Sequence, residues 1–162
     1  MRKTLTEYTL KKSTEHLYYE VDMFYTTLLL LTNAKNQIEV NILLDAFSIH
    51  ARNLFNFFYP KKNIRDDDMV ITDFPINLKE FNELKAKKRD LILIVRKANR
   101  QVVHLTYARN RYSGKSKPWP FVSIGRKMFK NLCAFYNTLP DHYKGLPNIG
   151  GIKAILDKLS QL

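Results

Sequence analysis

The feature that most limits how this chain can fold is its apolar spacing. Leu10, Leu17, Val21, Phe24, Leu28 and Leu31 recur in steps of seven, four, three, four and three. Only an α-helix, turning about 100° per residue, gathers such positions on one side. The stripe predicts a long helix over roughly 6–33. Asn33 and Asn36 punctuate a short turn, and a second stripe follows through Leu43, Phe47, His50, Leu54 and Phe57. That helix is predicted to run to about Phe58, with Pro60 helping to end it. A short turn between two long amphipathic helices implies antiparallel packing.

The pattern lapses over 59–77, a proline-containing acidic loop that includes Asp66, Asp67 and Asp68. These aspartates lack the alternating oxygens and the glycine turn of a calcium loop, so they read as a solvated loop or helix cap. "MVITDF" reads as a short extended piece with its apolar residues packed down. A third helix is predicted from Leu78 to about Tyr107 or Asn110, with Leu91, Val95, Ala98, Val102 and Leu105 facing inward. "SGKSKPWP" is a loop by composition. A fourth helix carries Ile124, Met128, Leu132, Phe135 and Leu139 and stops at Pro140. "LPNIGG" reads as a break, and "GIKAILDKLSQL" as a short terminal helix. The expected fold is all-α. It is an up-and-down four-helix bundle forming a single domain over 1–162, with the acidic loop between its second and third helices.

Charge is distributed unevenly. The net is +12, yet residues 85–130 hold 14 Lys or Arg against Asp90 alone, and the rest of the chain nets −1. A localised positive field attracts polyanions, nucleic acid foremost. Cys133 is the only cysteine, which excludes an internal disulfide and suits a reducing compartment. The charged start has no signal-peptide core, and "FYTTLLLL" is too short to span a bilayer. A cytoplasmic protein with no membrane partner is expected. Glycine-rich phosphate loops, zinc-ligand spacings and serine-nucleophile elbows are absent from the sequence, so no cofactor and no metal site is expected.

Within the basic stretch, Arg96, Arg100 and His104 share a stripe about 140° from the inward one, and Tyr107 continues it. Arg109, Arg111, Lys115 and Lys117 are candidate phosphate ligands, while Tyr112 and Trp119 are candidate stacking platforms for bases. Imidazole beside guanidinium suits phosphodiester chemistry. The imidazole takes a proton near neutral pH, and the guanidinium holds a phosphate oxygen. That makes His104, Arg100 and Arg96 the catalytic candidates, with Asn99 and Tyr107 beside them in a cleft. Leu93 on the same outer face suggests a homodimer contact. His50 reads as a satisfied core histidine, Cys133 as a small core residue, and His16 and His142 as histidines without supporting company.

This combination of helices with a late Arg-to-His motif resembles the HEPN domains, all-α modules of prokaryotic defence and toxin–antitoxin systems. The resemblance implies a metal-independent endoribonuclease that dimerises so that two motifs share a cleft, with an acidic antitoxin or other protein as a further partner. The family places four to six residues between the two motif positions. Here Arg100 precedes His104 with three residues between, and Arg96 with seven. Two readings therefore stand. One is an RNA-acting, HEPN-like protein with His104 as acid or base. The other is a non-enzymatic helical module that binds nucleic acid or an acidic protein through 85–130.

Overall fold

A computed structural model of the chain describes residues 5–98, Tyr107 and residues 119–160. Every secondary-structure element among them is helical. Helix α1 spans Glu7–Thr32, and its six stripe residues, Leu10 through Leu31, are all buried. The Thr6 side chain accepts a hydrogen bond from the Thr9 amide and so caps the first turn. Helix α2 spans Gln37–Phe58 and starts on a reciprocal cap. Asn36 accepts from the Glu39 amide at 2.9 Å, while the Glu39 carboxylate takes the Lys35 amide at 2.8 Å. Contacts between the two helices run in opposite senses. Glu20 meets His50, and one turn later on α1 Phe24 meets Phe47, one turn earlier on α2. The pair is antiparallel, as the short Asn33–Asn36 connection requires.

The acidic connection is partly structured. Val70, Ile71 and Phe74 are buried around a single 3-10 turn, Ile71–Asp73. The Asp73 carboxylate accepts the Val70 amide at 2.9 Å. The expected extended piece is therefore a turn, although its apolar residues do pack down. Asp66, Asp67 and Asp68 are exposed, and Asp68 accepts from the Arg65 amide at 2.9 Å.

The third helix differs from expectation. It is two helices, α3 over Leu78–Leu84 and α4 over Lys88–Lys97. Lys85 is extended, and Ala86 is buried in the break. The cause is tertiary. The Ala86 amide donates to Asn131 Oδ1 at 2.8 Å, and its carbonyl accepts from the Tyr59 hydroxyl at 2.5 Å. Both backbone groups are satisfied outside the helical ladder, so the chain turns there without leaving them orphaned. In α4, Leu91 and Ile94 are fully buried whereas Leu93 is 52% exposed, so "LILIV" has an inner and an outer side. The predicted inward positions Val102 and Leu105 lie outside the described residues.

Helix α5 spans Phe121–Thr138 and packs against α1, α2, α3 and α4. All five predicted positions, Ile124 through Leu139, are buried. The aromatic heart of the core lies here, where Phe135 meets Phe57, Phe58 and Phe74 at 5.6, 6.4 and 5.4 Å between ring centres. A short helix, α6, covers Asp141–Lys144, and α7 spans Pro147–Ser160. Contrary to the expected break, α7 begins at Pro147 and runs through Gly150 and Gly151. Proline suits a helix's first position because its missing N–H has no helical partner there anyway. Gly151 lets α7 approach α1, since a Cβ there would stand 2.6 Å from the Tyr18 ring. The Asn148–Thr14 and Gly151–Tyr18 contacts ascend together along both chains, so α7 lies parallel to α1. Gly125 plays the same part on α5, where a Cβ would meet Leu28 at 2.6 Å. Among the described residues, no helix is long and apolar enough to cross a membrane.

Candidate functional site

The basic stretch enters the described structure at both ends. Lys87, Lys88, Arg89 and Arg96 on and before α4, and Arg126 and Lys130 on α5, are exposed. These helices bury their apolar sides against each other and against the rest of the core, which turns the cations outward. Of these six, only Arg89 has an ion pair among the described residues, a 3.7 Å contact with Asp90. The remaining charge is not neutralised within the described fold. Lys85 is the exception in setting, because it lies over the rings of Tyr59 and Phe81 at 5.1 and 5.3 Å. Burial, and then the neighbouring Lys88, hold its ammonium below the usual lysine range.

Among the catalytic candidates, Arg96 is exposed on α4 beside Leu93, on the face away from the core. Tyr107 is 94% exposed. Arg100 and His104 lie outside the described residues, as do Asn99, Arg109, Arg111, Tyr112, Lys115 and Lys117. Trp119, one of the two expected stacking platforms, lies just before α5. It is only 8% exposed and belongs to the core, with the Lys97 ammonium 5.8 Å from its ring centre. An indole brings about 150–250 Å² of largely apolar surface. At the foot of α5 the fold uses most of that surface for packing, and what remains lines a surface pocket beside Arg126 and Lys127.

Sequence reasoning missed a second polar site. Helices α1 and α2 and the 59–70 connection enclose a groove of about 450 Å³. His16 and Glu20 reach it from α1, Arg52, Asn53 and Asn56 from α2, and Lys61, Arg65 and Asp68 from the connection. Behind it, His50 is 7% exposed and its Nδ1 lies 2.8 Å from Glu20 Oε2. The other Glu20 oxygen accepts from Asn53 Nδ2 at 3.1 Å. His50 is thus a core histidine with a partner, as its place on the apolar stripe implies. His16, by contrast, has company that chain order hides. It shares a groove with Arg52 and Asn53, some 36 positions away. The one available signal was the four-residue spacing of His16 and Glu20 on a single face of α1.

The other singled-out groups are structural. Cys133 is half-buried, and burial pushes its thiol up, away from nucleophilic use. His142 is exposed on α6, with Nε2 3.9 Å from Glu7. No group of three or more His, Cys, Asp or Glu among the described residues is arranged to hold a metal ion. No family model matches the chain, and no curated protein or solved structure matches it either.

Proposed function

We propose that the chain is an RNA-acting, HEPN-like protein that engages nucleic acid through residues 85–130. Its up-and-down four-helix arrangement and its use as a homodimer belong to the same reading. The observation that supports it is the segregation of charge. The whole positive excess lies in one stretch. The exposed cations at its two ends, Arg89 excepted, have no ion pair among the described residues. Such a surface gains affinity by releasing counterions from a phosphate backbone. In the enzymatic form of the proposal, His104 takes the proton of a ribose 2′-hydroxyl, which attacks the adjacent phosphorus. Arg100 and Arg96 hold the phosphate oxygens as charge grows, and the 5′-oxygen leaves with a proton, giving a 2′,3′-cyclic phosphate. The biological setting proposed is a toxin–antitoxin or phage-defence system.

The second reading is a non-enzymatic module that binds nucleic acid or an acidic protein through the same stretch. The exposed cations of α4 and α5 support it, because a charged face attracts a polyanion without any catalytic group. One experiment separates the two. RNA is incubated with wild type and His104→Ala in EDTA, and binding is followed across a salt series. The enzymatic reading expects cleavage that His104→Ala abolishes, together with binding that weakens steeply with salt. Salt-dependent binding without cleavage leaves the binding module. Binding that ignores salt refutes both.

A further inference from the structure

The groove between α1, α2 and the 59–70 connection gathers charges of both signs on one concave surface. Its two acidic groups are already engaged. Glu20 holds His50 and Asn53, and Asp68 holds the Arg65 amide. Its cations are not. The side chains of Arg52, Lys61 and Arg65 have no hydrogen bond or ion pair among the described residues. Arg52 is half-buried where it lines the groove, and its guanidinium has no ion pair among the described residues. Such a group gains most from an anion brought to it. A planar guanidinium presents paired donors that match two oxygens of one phosphate.

The size of the groove narrows the ligand further. About 450 Å³ falls within the range of small-molecule pockets. That is more space than a phosphate fills alone. The remaining wall carries apolar side chains such as Phe57 and Ile64, the carboxamides of Asn56 and Asn63, which offer donors and acceptors to the polar edges of a base or sugar, and Asn53, whose amide nitrogen already holds Glu20. We infer that this groove is a nucleotide-binding site, with Arg52 and Arg65 on the phosphate and the asparagines toward the nucleoside. This does not rest on the RNA-acting proposal. The residues differ and the ligand is a single nucleotide.

Calorimetric titration of the full chain with 5′-AMP, adenosine and inorganic phosphate tests the inference. AMP binds, and adenosine binds at least about 10-fold more weakly, because a charge-assisted hydrogen bond carries about 1.5–3 kcal/mol. Arg52→Ala and Arg65→Ala each weaken AMP by about 10-fold or more. Arg126→Ala and Lys130→Ala leave it unchanged, which separates the groove from the basic stretch and from the fate of the RNA proposal. Circular dichroism checks that each variant is folded, and Arg52→Lys, which keeps charge but loses the fork, binds with intermediate strength. Four results would overturn the inference: no binding of AMP at millimolar concentration, adenosine binding as well as AMP, inorganic phosphate binding as tightly as AMP, or equal losses from Arg52→Ala and Arg126→Ala.

Discussion

Replacing Tyr59 with phenylalanine isolates the contact that sets the α3–α4 break. The ring is 5% exposed, packs on Phe55 at 5.0 Å and carries the Lys85 ammonium above it, and phenylalanine keeps all of that. The hydroxyl alone is lost, and with it the 2.5 Å bond to the Ala86 carbonyl and the longer, 3.2 Å contact with Asn131 Oδ1. An ordinary buried hydrogen bond contributes about 0.5–1.5 kcal/mol, and an acceptor left buried and unpaired raises the loss to about 1–3 kcal/mol. Because Ala86 is 6% exposed and its amide stays bound to Asn131, a loss of about 1–2 kcal/mol is expected. The same change alters the response to alkali. Burial holds the Tyr59 hydroxyl above its ordinary value of 10.0, so the folded state keeps a proton that the unfolded state gives up. The stability this represents is intact below about pH 10 and is lost as pH climbs through the raised value. Lys85 acts oppositely in nearly the same window, because its folded value is lowered and the unfolded chain binds more protons. The two are separated by difference. Urea denaturation followed by circular dichroism, at pH 7.5 and from pH 9 to 11, should show Tyr59→Phe less stable than wild type at pH 7.5. The gap should narrow as pH rises. Equal stability at pH 7.5, or a gap that stays constant into alkali, refutes the assignment of this hydrogen bond.

Two further outcomes test the packing. Phe135→Ala removes a fully buried ring from its contacts with Phe57, Phe58 and Phe74 and should cost about 3–5 kcal/mol in urea denaturation, whereas Phe135→Leu should cost clearly less. Gly151→Ala drives a methyl to 2.6 Å from Tyr18 and should destabilise by about 1–3 kcal/mol, with part of the loss recovered in the Gly151→Ala, Tyr18→Ala double variant; full additivity of the two changes would show that the contact is not shared.

What the sequence determined by itself is the set of helices whose burial follows one period. Every stripe position predicted for α1 and for α5 is buried, because a long uninterrupted repeat needs no knowledge of its neighbours to identify its inner side. The ends of α1 and α2 were legible too, since Thr6, Asn36 and Pro60 act locally. The breaks and the groove were decided elsewhere. Nothing in "NELKAKKRDL" marks Ala86 as the end of a helix, and its amide and carbonyl are claimed by Asn131 and Tyr59 from distant parts of the chain. Gly150 and Gly151 read as a break because glycine weakens an isolated helix, yet Gly151 is what lets α7 lie against α1. Trp119 read as a base platform because its neighbours in sequence are basic, but its burial depends on what the fold sets around the start of α5. His16 and Arg52 are on different helices, and only the antiparallel pairing of α1 with α2 brings them to one groove. Periodicity records which side of a helix avoids water, while the partner that covers that side, and the cavity left between two such helices, exist only once the chain has closed on itself.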